Sequence, residues 1–85
     1  MLNAFFGPPA QKFLKKCDSQ LYDRLIKRVN ELEQNPFPQG VKRVEGKEEK
    51  MFRVRVGDYR ILYIIYHEKN EILVTDIDKR PHAYD

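Results

Sequence analysis

The sequence predicts an α+β domain in which two N-terminal helices pack on one face of a small, mainly antiparallel β-sheet. Two observations indicate this fold: apolar residues recur at helical spacing up to residue 34, and they alternate with polar residues from residue 41. Glycine and proline mark the boundaries between these segments. A chain of 85 residues is too short for two separate cores, so residues 1–85 are expected to form one domain.

The first helix is predicted to follow a short strand. Residues 1–6 are compatible with a strand, which Gly7-Pro8-Pro9 ends. Pro9 suits the first turn of a helix, where its missing N–H costs no hydrogen bond, and the helix should run to about Cys17. Its inner side is expected to carry Phe13, Leu14 and Cys17.

The second helix has the clearer periodicity. Asp18 or Ser19 is a suitable N-cap, because a side-chain oxygen at that position accepts a backbone N–H of the first turn. The helix should end near Gln34, since prolines follow. Its apolar stripe consists of Leu21, Leu25, Val29 and Leu32.

The remainder of the chain is typical of a β-meander. Strands are predicted at 41–45, 51–56, 59–66 and from 71 to about 77. Gly57-Asp58 has the length and composition of a two-residue hairpin loop, with Gly57 expected at positive φ.

Composition limits the classes of function. A net charge of +3 and a pI near 9.1 are too mildly basic to indicate a nucleic-acid partner by themselves. The single cysteine, Cys17, permits no internal disulfide and favours a reducing compartment. No apolar run is long enough to span a bilayer and no signal peptide is evident, so we expect a cytoplasmic protein with no membrane partner. One cysteine and two separated histidines offer no metal-ligand spacing, so we expect neither a metal nor another cofactor.

The hairpin turn predicts which side chains share a face of the sheet. A two-residue loop at 57–58 places Arg55 opposite Arg60, and a second turn about Lys69 places Asp78 near Arg60, so that Arg80 emerges beside it. One face, covered by the helices, should carry Phe52, Val54, Val56, Tyr59, Ile61, Tyr63 and Ile65. The opposite face should carry Arg53, Arg55 and Arg60 together with Leu62, Ile64 and Tyr66.

This convergence of arginines has two interpretations. Like charges that face each other on a sheet are destabilising, and guanidinium groups form paired hydrogen bonds with phosphate, so the arrangement favours an RNA-binding face. Tyr66 and Tyr84 would add rings on which bases stack. The alternative is an ordinary solvated face, on which Asp58, Asp76 or Asp78 pairs with Arg55 or Arg60.

The chain also resembles the RelE/ParE toxin superfamily over residues 10–84. The most specific likeness is the run Phe52-Arg53-Val54-Arg55-Val56-Gly57-Asp58-Tyr59-Arg60-Ile61-Leu62-Tyr63. Weaker similarities are Lys12-Phe13-Leu14-Lys15-Lys16, Asn35-Pro36, the 41–46 segment and the terminal Arg80…Tyr84.

The resemblance implies a metal-free endoribonuclease that cuts mRNA in the ribosomal A site and is inhibited by a RelB-like antitoxin protein. The reaction would be attack by the RNA 2′-hydroxyl on the adjacent phosphate. By position, Arg53 and Arg55 match the family's two basic residues on the third strand, and Arg60 matches its phosphate-binding arginine. Arg80 matches the family's second characteristic arginine, and Tyr84 matches the C-terminal tyrosine that stacks on or orients the substrate.

Two departures from the family pattern bear on activity. The best understood RelE branch has lysines where this chain has Arg53 and Arg55, and arginine is a poor general base because it stays protonated. His82 is a candidate replacement base, with a plain surface role as the alternative. The Gly7-Pro8-Pro9 sequence also interrupts a first strand that is usually longer.

Two other functions stay open at this level. ParE-like members of the superfamily act on DNA gyrase, and a degenerate member would only bind its antitoxin. The sequence also leaves open whether the free protein forms a homodimer.

Overall fold

The computed structural model describes residues 1–46 and 48–79, which form an α+β fold with two helices on one face of a five-stranded sheet. Strand β1 spans Asn3–Phe6, followed by helices α1 (Pro8–Lys16) and α2 (Ser19–Gln34). The other strands are β2 (Lys42–Val44), β3 (Met51–Val56), β4 (Tyr59–Tyr66) and β5 (Glu71–Lys79). Their order in the sheet is β1-β5-β4-β3-β2. The predicted fold class is confirmed.

Both helices begin where local chemistry favours it. Gly7 is the N-cap of α1, and prolines occupy its first turn, where their fixed φ is compatible with a helix and their missing N–H is not needed. Asp18 is the N-cap of α2, since its Oδ1 accepts the Leu21 N–H at 2.8 Å. In the described part of the chain, no helix is both long and apolar enough to cross a membrane.

The edge strand β1 is positioned by contacts distant in sequence. It pairs in parallel with β5, from Asn3 opposite Glu71 to Phe6 opposite Val74. On its other side, the Ala4 N–H donates to Oε2 of Glu33 on α2 at 2.9 Å. The remaining strand pairs are antiparallel.

The β3–β4 hairpin has the predicted register. Arg55 pairs with Arg60 and Val56 with Tyr59, and Gly57 has a φ of 59°. A backbone with positive φ at this position gives a two-residue loop the twist of its flanking strands.

Strand β5 is longer than predicted and contains an irregularity. It continues to Lys79, because Asp78 and Lys79 pair with Arg60 and Tyr59 of β4. The register shifts between Leu62 and Tyr63, which leaves one extra residue on β5, as in a β-bulge. The shift brings Asp78 opposite Arg60, the position that the sequence predicts.

The core lies between the sheet and the helices. All seven side chains that were predicted for the helix-covered face belong to this core or pack against it. Tyr63 is fully buried at its centre, and its hydroxyl donates to the Pro36 carbonyl at 2.6 Å, which fixes the segment after α2. Burial raises the pKa of the Tyr63 phenol far above its usual value. The residues of α2 in the core are the predicted Leu21, Leu25, Val29 and Leu32.

Candidate functional site on the outer face of the sheet

Three predicted arginines lie together on the face of the sheet that is turned away from the helices, which we call the outer face. Arg55 and Arg60 are directly paired across β3 and β4, and Arg53 lies two residues from Arg55 along the same strand. Paired residues have Cα atoms about 5 Å apart, and alternate residues of a strand are separated by about 7 Å. Arg53, Arg55 and Arg60 therefore form one group, the arginine cluster.

A carboxylate enters this cluster from β5. Arg60 Nε donates to Asp78 Oδ1 at 2.7 Å, and Arg60 Nη2 donates to Asp78 Oδ2 at 3.4 Å. The Arg60 side chain is 20% exposed and that of Asp78 is 45% exposed. The sequence left open whether an aspartate pairs with Arg60, and in the structure Asp78 does. Among residues 1–46 and 48–79, no salt bridge involves Arg53 or Arg55.

A further cation joins the cluster from the sheet edge. Lys42 on β2 pairs with Arg53 and is exposed. Sequence reasoning missed it, because no short turn connects β2 to β3 and so the register of that pair could not be read. The one sequence signal was the alternation of Lys42, Arg43 and Val44, which indicates that Lys42 and Val44 share a face of the strand.

Tyr66 lies at the other end of the outer face. It is six residues from Arg60 on β4, which corresponds to about 20 Å. Its hydroxyl donates to Glu49 Oε2 at 3.0 Å, and this hydrogen bond raises the pKa of the Tyr66 phenol. The Lys69 ammonium lies 5.9 Å from the ring centroid. The fold thus separates Tyr66 from the arginine cluster. Three other predicted site residues, Arg80, His82 and Tyr84, lie outside the described residues.

An apolar row crosses the outer face beside the arginine cluster. Each member is paired with the next, so one residue comes from each strand. Ile64 and Met51 are buried, at 8% and 9% exposure, although neither belongs to the core under the helices, whereas Phe5 on β1 is 51% exposed. In spatial order the apolar row consists of Phe5, Leu73, Ile64, Met51 and Val44. Sequence reasoning placed only Ile64 of these on this face.

The helical side carries a separate cavity of about 590 Å³. Its lining includes Phe13, Cys17, Tyr59 and Ile77, with Lys12 at the same cavity. The Cys17 Sγ–H donates to the Leu14 carbonyl at 3.5 Å, which fits the structural role predicted for it. The cavity faces away from the arginine cluster.

The outer face is suited to bind an anion. Its cationic side chains come from three strands, and those of Lys42, Arg53 and Arg55 lack a salt bridge within the described part of the chain. Like charges in adjacent strand positions do not stabilise the sheet, so an external phosphate or carboxylate would relieve their repulsion.

Comparison with known proteins identifies relatives. The family model described as "ParE toxin of type II toxin-antitoxin system, parDE" matches residues 5–84. A curated protein of Methanocaldococcus jannaschii with the name "Putative toxin RelE1" is 32% identical over 76 residues, which cover 86% of this chain and 83% of that protein.

Solved structures share the fold. A chain of the archaeal RelE–RelB complex from Pyrococcus horikoshii OT3 matches with a TM-score of 0.81 and 24% identity, covering 95% of this chain and 97% of that one. The intact E. coli RelBE toxin–antitoxin complex matches with a TM-score of 0.81 and 21% identity, covering 96% and 100%. The isolated E. coli RelE toxin matches with a TM-score of 0.80 and 23% identity, covering 99% and 92%.

Proposed function

Because the chain belongs to the RelE/ParE superfamily, the toxins of type II toxin–antitoxin systems, we propose that it is a metal-free mRNA endonuclease that acts in the ribosomal A site. The observation that carries this proposal is the arginine cluster. It places Arg53, Arg55 and Arg60 on a single accessible face, although the like charges of Arg55 and Arg60, which are paired across the two strands, do not stabilise the fold. We also propose a cytoplasmic location, where mRNA and ribosomes are found.

The proposed reaction needs only positioning, charge neutralisation and proton transfer. The RNA 2′-hydroxyl attacks its adjacent phosphorus, the P–O5′ bond breaks, and the products are a cyclic phosphate and a 5′-hydroxyl. Arg60 would neutralise the equatorial oxygens with Arg80, while Arg53 and Arg55 would hold the phosphate and the leaving oxygen. His82 is the candidate for proton transfer and Tyr84 for stacking on a base.

The Asp78–Arg60 salt bridge gives this mechanism a specific requirement. A phosphate that binds Arg60 must compete with a carboxylate 2.7 Å from Arg60 Nε. Arg53 and Arg55, which have no salt bridge in the described part of the chain, are therefore the groups to which a phosphate would bind first. Arg60 would join as charge develops in the transition state.

Primer extension on translated mRNA tests the proposal. The wild-type protein should produce cuts at A-site codons, and the Arg53→Ala/Arg55→Ala variant should reduce cutting by about 100-fold or more, as removal of transition-state charge stabilisation generally does. Lys15→Ala/Lys16→Ala on α1 removes the same charge from the helical side and should leave cutting unchanged. Intact mRNA with the wild-type protein would contradict the proposal.

A second candidate is inhibition of DNA gyrase. It is favoured by the matching family model, whose description names the ParE toxin. A supercoiling assay with purified gyrase discriminates the two, because only a ParE-like toxin should lower the yield of supercoiled DNA.

A third candidate is an inert binding module, which growth arrest on expression without antitoxin would exclude.

We propose that the partner is a RelB-like antitoxin that covers the apolar row and the arginine cluster together. One chain of each of two solved RelE–RelB complexes has this fold. An amphipathic helix with acidic residues would bury the exposed half of Phe5 and neutralise the arginines. The gene beside this one is the natural candidate for the antitoxin. When the antitoxin is absent, the same apolar row would be available for a homodimer.

A further inference from the structure

A second concentration of positive charge lies at the hairpin end of the sheet. Arg24, Lys27 and Arg28 on α2 line a cleft of about 330 Å³ together with Arg55 and Gly57 of the β3–β4 hairpin. We call it the α2–hairpin cleft. Among the described residues that line it, Glu31 is the one carboxylate, whereas four are cationic.

Folding does not account for this accumulation of charge. Lys27 and Arg28 lie three and four positions after Arg24 on α2. Like charges at these spacings destabilise a helix. Glu31 forms a salt bridge with Arg28 at 3.2 Å, and neither Arg24 nor Lys27 has one within the described part of the chain. The Nε of Arg28 is buried and has no hydrogen-bond partner among the described residues. Buried donors without a partner are uncommon in native proteins, and an acceptor from a bound ligand is one way to satisfy this donor.

The glycine of the hairpin brings the two sides of the cleft together. A Cβ at Gly57 would lie 2.5 Å from Arg24 Nη2, so a larger residue at this position would displace the guanidinium from its place over the turn. Arg24 thereby lines the same cleft as Arg55, although the two residues are 31 positions apart in the sequence.

We propose that the α2–hairpin cleft binds a backbone phosphate of RNA, at a subsite next to the arginine cluster. This inference rests on the proposed RNA-directed function and extends it. Arg55 contributes to both sites, so a strand whose reacting nucleotide lies at the arginine cluster continues around the hairpin to α2. Guanidinium groups that approach from two directions match the tetrahedral oxygens of a phosphodiester.

The salt dependence of RNA binding tests this subsite. The probe is a fluorescein-labelled dodecanucleotide of 2′-O-methyl RNA, which lacks the attacking hydroxyl, so anisotropy reports binding without cleavage. Each phosphate contact to a single strand contributes about 0.7 to the slope of log K against log salt concentration. The Arg24→Gln/Lys27→Gln variant should lower this slope by about 0.7, the contribution of one phosphate contact, and weaken binding about fivefold at moderate salt. A trinucleotide, which is long enough only for the arginine cluster, should bind both proteins equally.

The matched control is Lys12→Gln/Lys15→Gln on α1, which removes the same charge away from the cleft. Arg24 and Lys27 are exposed, so both variants should fold, which circular dichroism verifies. Equal slopes for the two variants would overturn the subsite. So would a weakened affinity for the antitoxin with unchanged RNA binding, which would assign the cleft to an acidic protein segment. If wild-type protein leaves translated mRNA uncut, the nuclease is overturned, while a lower salt slope for the Arg24→Gln/Lys27→Gln variant than for the control would still support the subsite.

Discussion

Individual arginines of the outer face differ in how strongly their charge is already satisfied. Arg60 is mostly buried and forms a salt bridge with Asp78. Arg55 is exposed, and its partner across the strand pair is the like-charged Arg60. A partly exposed ion pair contributes about 0 to 1 kcal/mol to folding, whereas paired hydrogen bonds between arginine and phosphate are among the stronger charge-assisted interactions. Asp78 is therefore better explained as a competitor of the ligand than as a determinant of stability.

The Asp78→Asn variant tests this view. It removes the carboxylate charge with little change in size, so binding of 2′-O-methyl RNA should tighten about threefold to tenfold, while the free energy of unfolding should fall by no more than about 1 kcal/mol. Fluorescence anisotropy and urea denaturation measure the two quantities. Asp76→Asn is the control, because Asp76 lies on the same face of β5 opposite Leu62 and has no salt bridge among the described residues. Weaker RNA binding by the Asp78 variant would instead show that Asp78 positions Arg60 for its ligand.

Among the elements, α2 contributes to stability and to both proposed binding surfaces, the outer face and the α2–hairpin cleft. Its apolar stripe packs on the sheet, its exposed face supplies the α2–hairpin cleft, and Glu33 holds the edge strand β1 through the Ala4 N–H. The start of this helix depends on the Asp18 cap, whose carboxylate accepts the Leu21 N–H. A helix that begins at a fixed residue also fixes where its cationic side chains lie.

Loss of the cap should have a measurable cost. The Asp18→Ala variant should lower the free energy of unfolding by about 1 kcal/mol, because a backbone N–H of the first turn loses its partner. Asp23→Ala is the control, since Asp23 is exposed on the same helix and caps nothing, and its effect should stay within about 0.5 kcal/mol. Urea denaturation of both variants measures the difference, and equal losses would show that the cap is not the source of the stability.

At the scale of the molecule, the helices cover one face of the sheet and leave the other uncovered. The outer face combines the apolar row with the arginine cluster, so a single partner with apolar and acidic side chains could cover both. Such a partner would exclude RNA by occupying the same surface, which is the simplest physical form of inhibition by an antitoxin.

Phe5 allows this surface to be tested with little effect on folding, because it is 51% exposed. The Phe5→Ser variant should weaken binding of the adjacent-gene antitoxin about fivefold to twentyfold, since burial of half an aromatic side chain contributes about 1 to 2 kcal/mol. Phe37→Ser is a matched control: Phe37 is 48% exposed and packs edge-to-face against Phe52, outside the apolar row. Isothermal titration calorimetry measures both. A larger loss for Phe37 than for Phe5 would place the antitoxin elsewhere.

Local features of the sequence predicted much of this structure. The spacing of Leu21, Leu25, Val29 and Leu32 predicted α2, and the Gly57-Asp58 loop predicted the pairing of Arg55 with Arg60. Such features depend on the helical period, on alternation in strands and on the backbone angles of a short turn, all of which act between neighbouring residues.

Tertiary structure alone decided the rest. The sequence placed Asp78 opposite Arg60 but left open whether the two side chains bond, because that depends on how they orient. The parallel pairing of β1 with β5, the apolar row and the approach of Arg24 to Gly57 all join residues far apart in the chain. No local period determines such contacts. They follow from the way the helices and strands pack around one core, and they decide which surfaces remain for binding.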